Sequence, residues 1–204
     1  MPDAVNQPDD AIARATSHYQ PAQLSPAEFE LFVASLFESL ASTRALSELR
    51  VENHEVIRGV DGAYDFDATV RFDVAGMEFL ILVEAKCHRN PIKRELVQVL
   101  HQKLQSVGAQ KAVLVSTAPF QSGALEFALA HGIALVTVTE GRFTYETKSA
   151  GRSSVLSRAE AAAYGLPIFV GHGYSRGDSP GSVRVTVMSP EYPEYLAEHF
   201  LPSQ

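Results

Sequence analysis

Eleven residues, Tyr64 to Val74, alternate without a break between apolar and polar side chains. A period of two over that length is compatible with a strand that buries one face, and it excludes a helix. Tyr64, Phe66, Ala68, Val70, Phe72 and Val74 fall on one side, and Asp65, Asp67, Thr69, Arg71 and Asp73 on the other. Gly76 marks a turn, and Phe79-Leu80-Ile81-Leu82-Val83 then forms an unbroken apolar run. Such a run suits a strand covered on both faces, so the pair predicts a hairpin whose second strand lies inside a sheet.

The surrounding pattern alternates helices with strands. Ser25 and Glu28 form a capping box with Pro26 at the first helical position, and apolar residues from Phe29 to Leu40 follow at helical spacing, predicting a helix over 26–41. Residues 50–58 read as a strand without a strong signature. Asn90 and Pro91 predict the start of a second helix, with a stripe of Ile92, Leu96, Val99, Leu100, Leu104 and Val107 ended by Gly108. Strands over 111–117 and 133–139 flank a short helix over 122–131. From residue 79 onward the order strand, helix, strand, helix, strand implies parallel pairing through crossovers. Residues 1–23 read as a loose arm, 24–147 as the main domain, and 148–204 as a small appendage with a capping box at Ser157 and Glu160 and a strand over 182–188.

Composition narrows the class. The 204 residues are 46% hydrophobic and 20% charged, which is a globular balance. No run is long enough to span a bilayer, and the start lacks the basic and apolar stretches of a secretion signal, so no membrane is expected and a cytoplasmic location is. The single cysteine, Cys87, excludes an intrachain disulfide and a zinc knuckle. The net charge of −7 argues against a general electrostatic hold on nucleic acid. One window runs the other way. Lys86, Arg89, Lys93, Arg94, Lys103 and Lys111 lie within residues 86–111, against Glu95 as the sole acid. Arg89, Lys93, Arg94 and Lys103 are therefore the candidate DNA-binding residues, positioned to neutralise phosphates.

The hairpin also gathers the candidate chemistry. Asp65 lies on the polar face of the first strand, and Glu84 and Lys86 end the second on one face. Two carboxylates and a backbone carbonyl, such as that of Ala85, make a hard-oxygen site of the kind magnesium prefers. A lysine beside it can orient an attacking water or help deprotonate it. A solvated acid on a strand face and a Glu–Lys salt bridge are the plainer accounts, although an unpaired Glu84 at the end of an apolar strand would be costly.

Asp61-Gly62-Ala63-Tyr64-Asp65 followed by Glu84-Ala85-Lys86 resembles the PD-(D/E)xK nuclease signature, and the wider pattern resembles the Mrr-type restriction endonuclease catalytic domain. Phe29-Glu30 in the leading helix, Gln98 in the helix after the motif, Val113 to Thr117, Phe120, Ala124, Ala128 and Ile133 to Val136 fit that family over about residues 25–140. Ala63 stands where the family has a second glycine, and no proline precedes Asp65. The resemblance implies a restriction-endonuclease-like α/β fold of three layers, with a mixed central sheet flanked by helices. It implies a Mg2+-dependent endonuclease, with Mn2+ as a substitute, that hydrolyses DNA phosphodiester bonds in restriction or defence. Asp65 and Glu84 would hold the metal with the Ala85 carbonyl, Lys86 would serve the water, Gln98 would meet the phosphate and Glu30 would complete the site. Asp67 would be a supporting or alternative ligand, and homodimerisation is open.

The rival reading is a catalytically inactive module on the nuclease fold that binds nucleic acid or a protein. Gly173-Tyr174-Ser175-Arg176-Gly177 matches a nucleophile-elbow pattern but is followed by turn residues where that motif needs a helix, and Gly171-His172-Gly173 also reads as a turn.

Overall fold

In a computed structural model, the structure describes residues 21–43, 46–74, 76–141, 157–179 and 182–200. The arm expected over 1–23 lies almost wholly outside them. Seven strands form one sheet: β1 (Ser47–Arg58), β2 (Ala63–Val74), β3 (Met77–Lys86), β4 (Lys111–Ser116), β5 (Ala134–Glu140), β6 (Phe169–Arg176) and β7 (Val183–Met188). Their spatial order is their chain order. β3, β4 and β5 are parallel, and every other neighbouring pair is antiparallel.

Among the described residues five α-helices accompany the sheet: α1 (Pro26–Glu38), α2 (Arg94–Val107), α3 (Ser122–His131), α4 (Arg158–Ala163) and α5 (Pro193–Phe200). β3 shows why three layers result. Ile81 and Val83 pack with Phe29, Phe37, Leu196 and Phe200 of α1 and α5, while Leu82 packs with Val97, Leu100 and Ala124 of α2 and α3. A strand apolar at every position is one whose two faces are both covered.

The capping boxes at Ser25 and Ser157 are both formed, and α1 tightens into a 3-10 turn over Ser39–Ser42. α2 starts later than Asn90 predicts. The Ile92 N–H donates to the Pro119 carbonyl, and Ile92 accepts from the Gln121 N–H, so this residue is held extended beside Phe120 and Lys93 becomes the cap. The helix is also rotated from its expected phase: Val97 is buried and Val99 is 51% exposed.

The tail differs most from expectation. It completes the sheet and the core: β6 pairs with β5 and β7 with β6, and Met188, Leu196 and Phe200 are buried beside α1. Gly171-His172-Gly173 is strand, not turn. A Cβ on Gly171 would press on Val136 of β5, and one on Gly173 would collide with Met188 and His199, so Gly173 lets α5 lie close on the sheet. Ser175 likewise sits in extended β6, which rules out a strand-to-helix elbow. Among the described residues no helix is long and apolar enough to cross a membrane.

Candidate active site at the β2–β3 fork

β2 and β3 pair from Val74–Met77 up to Ala68–Val83 and then part. Beyond that point β2 stays with β1 while β3 stays with β4, through Lys86–Ser116. The fork leaves the inner edge of β3 without a backbone partner. Asp67 fills it: its Oδ2 accepts the Ala85 N–H at 2.6 Å. In an extended strand the N–H and C=O of one residue point to the same side, so the Ala85 carbonyl opens into the fork as well.

The alternation of β2, expected unbroken, breaks at Asp67. Ala68, Val70 and Phe72 pack on the α1 side, but Phe66 and Tyr64 pack on the α2 side. The partner strand explains the change. His54 of β1 stands between the Asn53–Ala68 and Glu55–Phe66 pairs with φ 53°, a left-handed conformation that a histidine seldom adopts within a strand. The pairing register runs unshifted through this point, so the left-handed residue lies opposite Asp67, where the two faces exchange.

Glu84 is the hub. It is buried, yet both of its oxygens are paired: Lys86 Nζ reaches Oε2 at 2.8 Å, and Lys103 Nζ donates to Oε1. Lys86 also stands 3.6 Å from Asp67 Oδ2. Burial lowers the pKa of the Lys86 ammonium, but the Glu84 hydrogen bond and charge, aided by Asp67, outweigh this and hold it above the usual lysine value. Lys103 comes from α2, where it also rests over the Phe66 ring at 5.2 Å. The resulting cluster is two carboxylates, two ammonium groups and an open carbonyl at the parting of two strands.

The loop before β2 is fastened beside it. Asp61 Oδ1 accepts from Tyr64 Oη at 2.8 Å and from Ser106 Oγ, and the Val60 N–H donates to the Ser106 carbonyl at 3.0 Å. The Ser106 and Tyr64 hydroxyls hold the Asp61 carboxyl below its ordinary pKa. Ser106 is three residues from Lys103, so the same flank of α2 carries both contacts.

The remaining expected residues are more dispersed. Asp65 is exposed and has no side-chain partner among the described residues. The structure brings Asp67, not Asp65, to Glu84 and Lys86. Glu30 on α1 faces His54 at 3.5 Å, and Gln98 is exposed. Arg89 and Lys93 are exposed, while the Arg94 guanidinium lies 5.2 Å from the centre of the Phe127 ring. Arg94 and Lys103 are nine positions apart, which places them on opposite flanks of α2. The roles of Lys103 as a partner of Glu84 and of Ser106 as an anchor were not foreseen. The basic window signalled the first only as a phosphate contact, and nothing in the sequence signalled the second.

The donor set suits a hard divalent cation: Asp67, Glu84 and the Ala85 carbonyl offer oxygen alone, and magnesium is commonly held by one or two carboxylates together with retained waters. Among the described residues no group of three or more His, Cys, Asp or Glu side chains is gathered.

The family model of the Mrr_cat restriction endonuclease matches residues 21–141. No curated protein matches. Among solved structures, the DNA modification-dependent restriction endonuclease AspBHI is similar at 20% identity and TM-score 0.38, over 66% of this chain and 33% of that one. The MspJI restriction endonuclease, solved in complex with a 27-mer oligonucleotide, is similar at 17% identity and TM-score 0.38, over 65% of this chain and 30% of that one. A protein of unknown function, AF1548, is similar at 17% identity and TM-score 0.38, over 50% of this chain and 56% of that one. The chain thus spans a third or less of the length of the two restriction enzymes it resembles.

Proposed function

This chain belongs to the Mrr_cat restriction endonuclease family, and from that premise we propose that it is a metal-dependent endodeoxyribonuclease working through Asp67, Glu84 and Lys86. The observation that carries the reading is the fork. A carboxylate from β2 closes onto the backbone of Ala85, between Glu84 and Lys86, where a plain sheet would have continued its ladder. Asp67 takes the part expected of Asp65. Asp67, Glu84 and the Ala85 carbonyl would hold a divalent ion, with magnesium the best match to an oxygen set of this size. When bound, that ion would supply Lewis-acid stabilisation of the phosphate and a more acidic water.

The chain's own groups do the rest. Lys86, held charged by both carboxylates, orients the attacking water and stabilises charge on the scissile phosphate. Lys103 neutralises the other Glu84 oxygen and keeps that carboxylate fixed in a buried place. Arg89 and Lys93 are exposed and unengaged among the described residues, and these are the groups open to meet DNA phosphates at a distance from the cut. A restriction or defence role follows the family, and the substrate is DNA.

The test is cleavage of supercoiled plasmid with Mg2+ or Mn2+ and with chelator. Nicking that needs the metal and falls about a hundredfold or more in Glu84→Gln and Lys86→Ala supports the reading. DNA left intact under every metal condition, by protein that still binds it, favours the inactive module. The double ammonium hold on Glu84 is the one feature that leans that way.

A further inference from the structure

The two edges of the sheet are built differently. β1 carries five charged residues, Glu48, Arg50, Glu52, Glu55 and Arg58, a register shift near Ser47–Arg50, and two left-handed residues, Glu48 and His54. Charges and irregular backbone are the devices by which an edge strand resists pairing with another chain. β7 has neither. Its sequence is Val-Arg-Val-Thr-Val-Met, Arg184 is its one charge, and it holds no left-handed residue. Among the described residues nothing pairs with its outer edge. Three of the large exposed apolar side chains lie on β7 or in the segment that follows it into α5: Val187 at 40%, Tyr192 at 44% and Tyr195 at 53% exposure. A shallow groove between β7 and α5, bordered by Thr186, Tyr195 and Glu198, adjoins the same edge.

Charge selects the occupant. Arg184 stands at the start of β7, where its exposed guanidinium reaches Asp178 of its own chain at 2.6 Å, and exposed Glu191 and Glu194 stand just past the end of the strand. Two β7 strands side by side and antiparallel bring the start of each next to the end of the other, so each Arg184 meets the other copy's pair of acids. A parallel arrangement would set Arg184 against Arg184. We propose that β7 pairs antiparallel with β7 of a second copy about a two-fold axis, joining two seven-stranded sheets into one. The ladder supplies backbone hydrogen bonds, Val187, Tyr192 and Tyr195 supply apolar area, and the Arg184–acid pairs fix the direction. This does not depend on the nuclease reading, because β7 lies four strands from β3.

Sedimentation of the full chain from about 1 to about 100 μM decides it, a range in which modest self-pairing is visible. The expected result is reversible dimerisation, with Val187→Lys weakening it tenfold or more, as a lysine on an edge strand should. Arg184→Glu should weaken it similarly, and adding Glu191→Arg with Glu194→Arg should restore it. The charge exchanges lie at exposed positions, so they decide the matter even if Val187→Lys perturbs folding. A chain that stays monomeric throughout, with its edge covered by its own residues, overturns the proposal. So does a dimer indifferent to both Val187→Lys and Arg184→Glu, because its contact then lies elsewhere.

Discussion

Asp65 and Asp67 carry the same side chain two positions apart, yet only Asp67 is tied to Ala85 and Lys86. The two separate cleanly by substitution. Asp67→Asn keeps an oxygen for the Ala85 N–H but loses the charge that holds a cation, so plasmid cleavage should fall about a hundredfold or more while the melting temperature changes little. Asp65→Asn should leave cleavage within about threefold of wild type, since ordinary surface substitutions are mild. The reverse ranking would return the metal to Asp65. The sequence places both aspartates on one polar face, and the family resemblance chose Asp65, with Asp67 as the alternative. The irregular place opposite Asp67 is a left-handed His54 in the neighbouring strand, a conformation signalled by glycine or asparagine far more often than by histidine. A second residue-scale consequence concerns His172, which is fully buried and hydrogen-bonded to Thr139, and whose pKa burial lowers from 6.5 to about 4. The unfolded chain therefore binds the proton more readily. The stability that comes from a neutral His172 is complete above the unfolded pKa and is lost as pH falls toward the folded one. Urea titrations should show a loss of about 2 kcal/mol between about pH 7 and pH 5 from this group. His172→Asn, although less stable overall, should remove this share of the dependence and leave that of His199, whose pKa burial also lowers to about 4.

Among the elements, those with local punctuation were legible and those set by their neighbours were not. The α1 cap, the β4 strand and the α3 helix appear where Ser25, the apolar run after Lys111 and Gly132 announce them. α2 begins where Ile92 is released from Pro119 and Gln121, a long-range constraint with no local sign. Its phase is set by contacts at Phe66, Glu84 and Asp61, which draw Lys103 and Ser106 inward and leave Val99 outside. Gly59 reports on that docking. A Cβ there would collide with the Ser106 hydroxyl and carbonyl, so Gly59→Ala should cost about 1–3 kcal/mol in chemical denaturation. Ser106→Ala removes part of the obstacle along with the Asp61 hydrogen bond. The double variant should therefore lose less than the sum of the two single losses, and strict additivity would mean that the loop and helix are not in contact as described.

For the whole molecule, the sequence conveyed the alternation of helices and strands through the middle of the chain but hid the far side of the sheet. β6 reads as a turn because Gly171, which lies against Val136, and Gly173, needed for the close approach of Met188 and His199, remove the apolar alternation that would announce a strand. Removing everything after residue 147 would strip Met188, Leu196 and Phe200 from the core and uncover β5, all seven of whose residues are buried. Such a truncation should be insoluble or lack a cooperative melting transition, whereas a true appendage would leave a folded remainder. The matching of spatial to chain order carries a further consequence, for synthesis. No strand has to be inserted between two that already pair, so a chain emerging from the ribosome can lay each strand against the one before it and extend the sheet at a single growing margin. Loop closure then stays local at every step of sheet growth. The half-made protein always presents one fresh edge, held open only until the next strand arrives.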